Sequence, residues 1–306
     1  MDKKIAFLGT PEFAVPILRS IIENGYKILC VFSQPPRKSH RGQKINKSPV
    51  NILSEEFGIQ IKTPNKIEDE LEFIKSLNLD IAIVVAYGQI IPEQILKLSK
   101  KGFINIHASL LPKWRGAAPI QRSLINMDKN TGISIMKINQ KLDEGPVCNK
   151  YQINILENEN AKSLSERLSK LASEKIIENI NEILNENIKF DEQDHNQATY
   201  AKKIEKSEGK INWNDTAEKI LAKINGLFPK PGAWFKFQNQ RYKILKANLS
   251  KKTGKIGEII DKDLTISCGL NSIKVIEIQR EGKKSQLAED FLLGSKLKEG
   301  IILNNE

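Results

Sequence analysis

The sequence predicts an α/β protein: a doubly wound, mostly parallel open sheet followed by a smaller domain rich in β-strands. Two observations predict the sheet. Short apolar runs alternate with helical patterns through the first 150 residues, and residues 80–87 are apolar at nearly every position, as in a central strand covered on both faces. A third observation predicts the second domain, because short strand-like runs separated by turn residues replace this alternation beyond residue 200.

The elements of the first domain follow one another in the order that a crossover fold requires. Apolar runs predict strands at residues 5–8, 27–32, 80–87, 103–107 and 131–138. Helices are predicted between them at residues 13–22 and from Ser48 to Glu56. Because parallel strands need long crossover connections, the alternation predicts helices packed against both faces of one sheet.

The end of the first domain is marked by a long amphipathic pattern. Leucine and isoleucine recur every three or four residues between 162 and 188, which predicts one buried helical face. We therefore expect a first domain at 1–188, a polar linker at 189–208 and a second domain at 209–306. In the second domain a helix is predicted at 216–227, and strand-like runs follow at 234–247, 255–260, 264–268 and 272–278. This succession of short strands is typical of an all-β barrel or sandwich.

Charge and composition limit the classes of protein. The chain has 306 residues, enough for two domains at about 150 residues each. Its 48 basic and 37 acidic residues give a net charge of +11, and residues 206–306, with 19 basic and 12 acidic residues, carry +7 of it. Such an excess favours a polyanionic partner.

Several classes are excluded. Hydrophobic residues at 40% and charged residues at 28% exclude disorder of the whole chain. The longest apolar stretch, 81–87, is far shorter than the roughly 18 residues of a spanning helix, and the N-terminal apolar run is too short for a secretory signal. We therefore expect a cytoplasmic protein with no membrane association. Three scattered cysteines and three histidines predict neither a disulfide framework nor a metal site.

The first glycine turn argues against a nicotinamide cofactor. Gly9 lies where a dinucleotide-binding fold carries the first glycine of G-x-G-x-x-G, but the second and third glycines are missing and Pro11 occupies the approach. Glu12 at the start of the following helix also repels a phosphate, although it suits the helix dipole.

The segment 105–119 carries the most chemistry. Asn105 and His107 lie two residues apart at the end of a predicted strand, so their side chains project from one face while Ile104 and Ile106 project from the other. Open α/β sheets bind ligands at the carboxyl ends of their strands. A lone histidine near apolar residues is more often structural, but the pairing with Asn105 and the loop containing Trp114 favour a catalytic role.

A third polar group is available in the loop 141–146. Asp143, beside His107, would fix the tautomer of the imidazole and favour its protonated state. An amide, an imidazole and a carboxylate include no nucleophile, so the set suits oxyanion stabilisation and proton transfer while an external amine attacks a carbonyl. A serine hydrolase using Ser109 is the competing interpretation, but no G-x-S-x-G elbow surrounds that serine.

A basic loop follows the second predicted strand. No acidic residue occurs between Phe32 and Ser54, and prolines and glycines prevent a regular helix. Five cations fall within eleven residues: Arg37, Lys38, Arg41, Lys44 and Lys47. Such loops are usually only solvated, but the position beside the candidate site and the basic second domain favour contacts with nucleic-acid phosphates.

These segments together resemble the folate-dependent formyltransferase family, and within it the methionyl-tRNA formyltransferases. The matching segments are residues 8–13 (LGTPEF), 86–92 (AYGQIIP), 105–119 (NIHASLLPKWRGAAP), 131–136 (TGISIM), 142–145 (LDEG) and 199–204 (TYAKKI). Asn105, His107, Asp143 and the run 109–112 occur throughout the family and specify the class of reaction. The continuation 114–119 and the basic C-terminal third indicate the branch that acts on tRNA.

The resemblance implies a formyltransferase-type sheet domain that holds 10-formyltetrahydrofolate, and an OB-like C-terminal barrel that binds tRNA. It implies direct attack by the amine of methionyl initiator tRNA, with Asn105, His107 and Asp143 as catalytic residues and no metal. The folate site would be lined by eight residues: Ser109, Leu110, Leu111, Pro112, Tyr87, Gly88, Gln89 and Ile90. Arg41 matches a functional arginine of the family, in a loop expected to enter the acceptor stem. We expect a monomer.

Three alternatives remain open at the level of sequence. The first is a folate-dependent formyltransferase that acts on a small nucleotide- or sugar-linked amine through the same three residues, which leaves the basic C-terminal third unexplained. The second is a non-catalytic nucleic-acid-binding protein in which those residues only pack. The third, a nicotinamide-linked oxidoreductase, is weakened by the glycine pattern.

Overall fold

The computed structural model describes residues 3–39 and 44–304. The chain forms two compact units. The first consists of Met1–Gly116, Thr131–Ile153 and Ser165–Tyr200, and the second of Ala117–Asn130, Asn154–Leu164 and Ala201–Glu306. Each unit is therefore assembled from three stretches of the chain.

The described strands and helices have the following bounds. The strands are β1 Ile5–Gly9, β2 Ile28–Phe32, β3 Arg37–Ser39, β4 Lys44–Asn46, β5 Ile61–Lys62, β6 Ile81–Val85, β7 Phe103–His107, β8 Asn130–Lys137, β9 Val147–Asn154, β10 Ala233–Phe237, β11 Gln240–Ser250, β12 Thr265–Ser267, β13 Ser272–Arg280 and β14 Ser285–Leu287. The helices are α1 Val15–Glu23, α2 Pro49–Glu56, α3 Leu71–Leu77, α4 Glu93–Leu96, α5 Pro119–Ile125, α6 Ala161–Leu184, α7 Ala217–Leu227 and α8 Ala288–Leu293.

The main sheet of the first unit has seven strands in the order β5-β2-β1-β6-β7-β8-β9. Neighbouring strands from β5 to β7 pair in parallel, and β8 pairs with β7 in the antiparallel sense, with His107 opposite Ser134. The chain leaves β1 on one side through β2 and returns on the other through β6, which creates a topological switch point. The predicted doubly wound, mostly parallel sheet is confirmed.

Both faces of this sheet are covered by apolar side chains. On one face, Ala6 and Leu8 of β1 join a core with α3 and α4, and the alternation of strand side chains sends Ile5 and Phe7 to the other face. Helix α6 buries most of the stripe that the spacing predicted, with Leu164, Leu168, Ile176 and Ile180 at 0% exposure. Leu171, which was expected in this stripe, is only partly buried, and the neighbouring Ala172 is buried instead. Ser169 and Ser173 of α6 bond to the segment around α1, through hydrogen bonds to Phe13 O and from Ser20 Oγ.

The first strand is anchored at its beginning by Asp80, which precedes β6. The Asp80 carboxylate accepts a hydrogen bond from the main-chain amide of Lys4 at 2.8 Å and another from Lys100 Nζ at 2.9 Å. The amide first, and then the ammonium group, hold the pKa of Asp80 below its ordinary value.

The second unit contains a five-stranded antiparallel sheet in the order β10-β11-β13-β12, with β14 paired to β13. Irregular register between Ile244 and Ala247 bends β11, which curls the sheet as in a partly open barrel. Its core surrounds Trp213, Phe235 and Tyr242, and includes apolar residues of α7. The predicted smaller OB-like domain is confirmed in this curled antiparallel sheet.

Some elements differ from the sequence-based expectations. The single strand expected at 234–247 is a hairpin, because Gln238 and Asn239 adopt left-handed φ values of 48° and 60° and reverse the chain. Residues 255–260 form isolated bridges rather than a strand. Strands β3, β4, β5, β9 and β14 and helices α3, α4, α5 and α8 were not predicted, and β3 and β4 lie in a segment that was expected to be a loop. Among the described residues, no helix has the length and apolarity to cross a membrane.

Candidate active site

The site begins at the carboxyl end of β7, in the first unit. Asn105 is partly buried and His107 is only 6% exposed, and their positions two apart place both side chains on one face of the sheet. Opposite them on β8 lie Met136 and Ser134. The strand therefore positions the two polar groups that sequence reasoning paired.

The His107 ring has a different neighbour at each nitrogen. Its Nε2 lies 2.9 Å from the main-chain oxygen of Trp114. Because a carbonyl can only accept a hydrogen bond, this contact requires a proton on Nε2 and fixes the tautomer of the neutral ring. Nδ1 faces Asp143, with Oδ2 at 3.7 Å. The Trp114 carbonyl, and not Asp143 as the sequence led us to expect, therefore fixes the tautomer of the ring, while the Asp143 carboxylate lies beside Nδ1.

Asp143 lies in the loop between β8 and β9. Its side chain is 17% exposed, and Oδ2 accepts a hydrogen bond of 2.8 Å from the amide of Gly116. The Asp143 backbone has a left-handed φ of 51°, and that of Trp114, on the other side of His107, has a φ of 63°. Non-glycine residues in this region are uncommon, and they concentrate where a site imposes the backbone conformation.

A buried polar network supports this loop. Arg115 is 1% exposed, and its guanidinium donates two hydrogen bonds to Gln193 Oε1, at 2.8 and 3.1 Å. It also lies 3.4 Å from a carboxylate oxygen of Glu144 and 3.2 Å from His195 Nδ1. Gln193 Nε2 in turn donates to the main-chain oxygens of Asp143 and Gly145.

The predicted folate-lining run 109–112 forms a tight turn after β7. Ser109 is fully buried, and its hydroxyl donates to Lys113 O at 2.5 Å. Ser134 of β8 bridges the turn, since its hydroxyl donates to Ser109 O at 2.7 Å and accepts from the Leu111 amide at 3.0 Å. Leu111 is buried, whereas Leu110 and Pro112 are partly exposed. The Ser109 hydroxyl is therefore engaged within the turn, which fits a structural role better than a nucleophilic one.

The other predicted folate-lining run, 87–90, follows β6 at the switch point. Tyr87 is 2% exposed, and burial raises the pKa of its phenol. Gln34 Nε2 donates to Gly88 O at 2.8 Å, and the Gln89 carboxamide bonds to the main chain at Pro64 and Ile67. Ile90 is 88% exposed. Hydrogen bonds thus fix this loop on both sides and leave one apolar side chain in solvent.

The predicted tRNA-binding loop is only partly described. Arg37 and Lys38 lie in β3 and Lys44 in β4, which pair as an antiparallel hairpin. Arg41 lies outside the described residues. Lys47 is exposed and forms an ion pair of 2.7 Å with Glu55 of α2.

The three cysteines are buried or partly buried thiols. Burial raises the thiol pKa of Cys30 and Cys268 to about 12 and that of Cys148 to about 11, so no thiolate forms near neutral pH. The described residues contain no cluster of three potential metal ligands among His, Cys, Asp and Glu.

Sequence reasoning missed three groups near the site. The Trp114 carbonyl is a main-chain atom and leaves no trace in residue type. Gln193 lies in a polar, aperiodic stretch and was assigned only to a linker. Ser134 could have been identified, because it is a polar residue within the apolar strand 131–138. In the structure it is 0% exposed.

Comparisons with known proteins identify the family and the fold. The family described as formyl transferase matches residues 3–180, and the formyl transferase C-terminal domain matches residues 203–296. A solved N-formyltransferase from Helicobacter canadensis, in complex with folinic acid and dTDP-3-aminofucose, has a TM-score of 0.70 at 21% identity and covers 89% of this chain and 99% of its own. The two family matches therefore define a formyltransferase, and the solved structure shares its fold.

Full-length relatives specify the family further. The chain is 60% identical over 309 residues to the methionyl-tRNA formyltransferase of Pelagibacter ubique strain HTCC1062, and the match covers 100% of both chains. It is 40% identical to that of Caulobacter vibrioides strain NA1000 / CB15N, over 98% of this chain and 99% of the relative. The chain belongs to the methionyl-tRNA formyltransferase family.

Proposed function

We propose that this enzyme transfers the formyl group of 10-formyltetrahydrofolate to the free amino group of methionyl initiator tRNA. The observation that carries the proposal is the site at the end of β7, where His107 faces the Asp143 carboxylate at 3.7 Å in a chain with the domains of this family. The identity of 60% across the full length of a methionyl-tRNA formyltransferase supports this substrate over a small amine.

The transfer is a direct displacement. The amine nitrogen forms a bond to the formyl carbon and the bond from that carbon to folate N10 breaks; the amine loses one proton and N10 gains one. The formyl oxygen carries negative charge in between. Asn105 stabilises that charge through its amide N–H groups, and His107 stabilises it through Nδ1–H when the ring is protonated, with the Asp143 carboxylate stabilising the protonated ring. With Nε2 held by Trp114 O, Nδ1 is the ring nitrogen that exchanges the proton.

The folate substrate would lie along the runs 109–112 and 87–90. A pterin has apolar ring faces and polar edges, and the partly exposed Leu110 and Pro112, the exposed Ile90 and the main chain of Tyr87, Gly88 and Gln89 offer both kinds of contact. Ser109 and Leu111, which are buried, would support this surface from behind.

The tRNA would be bound by the basic loop and the C-terminal domain. We assign phosphate contacts to the loop that holds Arg37, Lys38, Arg41, Lys44 and Lys47, and retain 1–188, 189–208 and 209–306 as catalytic domain, linker and tRNA-binding domain. Residues 206–306 carry a net charge of +7, which suits this partner. We further propose that the enzyme acts as a monomer in the cytoplasm, where charged tRNA is used.

The test is incubation with methionyl initiator tRNA and 10-formyltetrahydrofolate, followed by detection of N-formylmethionine. We expect formylation of the charged tRNA at least 100-fold faster than of a sugar-linked amine at equal concentration. Arg41→Ala should slow the tRNA reaction by about 5- to 150-fold, equivalent to roughly 1–3 kcal/mol, without changing the reaction of a short amine. Faster reaction with the small amine would contradict the proposed substrate, and equal effects of Arg41→Ala on both would contradict the role of the loop.

A further inference from the structure

Gln193 is a buried amide whose donor and acceptor groups are all used. It is 6% exposed, and its Oε1 accepts both hydrogen bonds from Arg115. Its Nε2 donates to Asp143 O at 2.9 Å and to Gly145 O at 2.7 Å. Because a carboxamide has two N–H donors and two acceptor sites, this arrangement satisfies the side chain completely.

Arg115 determines which way this amide points. The guanidinium can only donate, so it requires the oxygen of Gln193 on its own side and directs the nitrogen toward the loop of Asp143. The contact of Arg115 with Glu144, at 3.4 Å, balances the charge of the buried cation. The next residue, Gly116, donates its amide to Asp143 Oδ2.

The main chain and the side chain of Asp143 are consequently both held by this group of hydrogen-bonded residues. Gln193 holds its main-chain oxygen, and the Arg115–Gly116 segment holds its carboxylate oxygen. The segment that carries Gln193 is itself fixed to the start of β9, the strand that follows this loop, since Asp191 and Val147 exchange main-chain hydrogen bonds of 2.9 and 3.0 Å. Residues expected to form only a linker thus contact the catalytic loop directly.

We propose that Gln193 is a positioning residue for formyl transfer, whose amide, oriented by Arg115, fixes the Asp143 carboxylate beside His107. The inference rests on the proposed function, because it takes Asp143 as part of the reaction machinery. Gln193 does not touch the reacting atoms. It affects the rate only by fixing the position of the Asp143 carboxylate. Its effect should therefore disappear when that carboxylate is removed.

The test is a double-mutant cycle with Gln193→Glu and Asp143→Asn. Gln193→Glu keeps the size of the side chain and its acceptors for Arg115, but puts an oxygen against two carbonyls that need a donor. A displacement of about 1 Å in a catalytic group costs about 100-fold, so we expect a 10- to 100-fold lower kcat. The KM for each substrate should change less than threefold. Gln152→Glu on β9, which is exposed, is the matched control and should retain full turnover.

The cycle separates a positioning role from loss of fold. In the Asp143→Asn background, Gln193→Glu should lower kcat by less than threefold further, because the carboxylate that it positions is gone. A multiplicative loss in the double variant would show that Gln193 affects kcat independently of the Asp143 carboxylate, and it would overturn the proposal. So would wild-type kcat in Gln193→Glu alone. If Gln193→Glu does not fold, Gln193→Met, which adds no charge, replaces it in the same cycle.

The same variants distinguish this proposal from the proposed function. If Asp143→Asn turns over at the wild-type rate, the role assigned to Asp143 is wrong and the positioning role falls with it. If Asp143→Asn is impaired and Gln193→Glu is not, the proposed function stands and only the inference about Gln193 fails.

Discussion

Gly145, two residues after Asp143, has no room for a methyl group. A Cβ at this position would lie 1.9 Å from the main-chain oxygen of Lys137 and 3.3 Å from Met136 Cε. Its φ lies outside the left-handed region, so space rather than backbone conformation is the constraint. Heavy atoms of this kind do not approach within 3.0 Å, and Gly145→Ala therefore requires the loop to move by about 1 Å away from β8.

The expected loss of stability and of rate follows from this close contact and from the usual cost of such contacts. Overpacking of this kind costs about 1–3 kcal/mol, and the hydrogen bond of 2.7 Å from Gln193 to Gly145 O is strained or lost as well. The same movement carries the Asp143 carboxylate away from His107 by a comparable distance. A displacement of about 1 Å costs roughly 100-fold in rate. We therefore expect Gly145→Ala to be folded, less stable by about 2–4 kcal/mol, and slower by about 100-fold.

Two measurements check this expectation on one preparation. Denaturant unfolding gives the change in stability, and single-turnover formylation of methionyl initiator tRNA gives the rate. Gly294→Ala, after α8, is the matched control, because nothing lies within 4 Å of a Cβ placed there. If Gly145→Ala reacts within threefold of the wild-type rate, the close packing of this loop does not determine the location of Asp143, and the reasoning is refuted.

Three further expectations follow from the site and the fold. Asn105→Ala and His107→Ala should each lower turnover by about 100- to 1,000-fold, as for the loss of one oxyanion donor, and normal turnover by a folded variant would remove that residue from the mechanism. Ser134→Ala removes the hydrogen-bond partner of the buried Ser109 carbonyl and Leu111 amide, so it should reduce the free energy of unfolding, measured by urea denaturation, by about 1–3 kcal/mol. An equal loss in the exposed Ser76→Ala would contradict this account. The pKa of Asp80 is lowered by a main-chain amide and then by a lysine, so its stabilisation is fully present above its unfolded pKa, about 4, and disappears as the pH falls through the folded value. Asp80→Asn should therefore cost about 1 kcal/mol at pH 7 and little at pH 3, and an equal cost at both values would contradict the ion pair as its source.

The sheet could be predicted from the sequence because its strands carry a one-dimensional signal. The central strand β6 is apolar at every position and buried throughout, and the apolar residues of α6 recur mostly at spacings of three or four. Strand β9 carries no continuous apolar signal, because it lies at the edge of the sheet and, after the buried Val147, has only partly buried or exposed positions, many of them polar, such as Asn149 and Lys150. Its pairing with β8 depends on the sheet already being present.

Some residues of the candidate site could likewise be predicted from the sequence, and others could not. Asn105 and His107 share a face because strands have a period of two, and that could be derived from their spacing alone. Asp143 was expected from its place after a strand, and the structure puts its carboxylate 3.7 Å from the His107 ring. Gln193 is 50 residues from the carbonyl that it binds, and no periodicity connects the two positions. A contact at that separation is determined by tertiary structure.

Main-chain groups explain why the fine geometry of this site is hard to derive from residue types. His107 is oriented by the carbonyl of Trp114, and Asp143 by the amide of Gly116. Any residue at position 114 supplies that carbonyl, provided that it tolerates the left-handed φ of 63°. The indole of Trp114 therefore need not account for the histidine tautomer, and a residue with a lower cost in this conformation, such as asparagine, would preserve the contact. The contact with His107 therefore depends on the backbone conformation at position 114 and not on the indole.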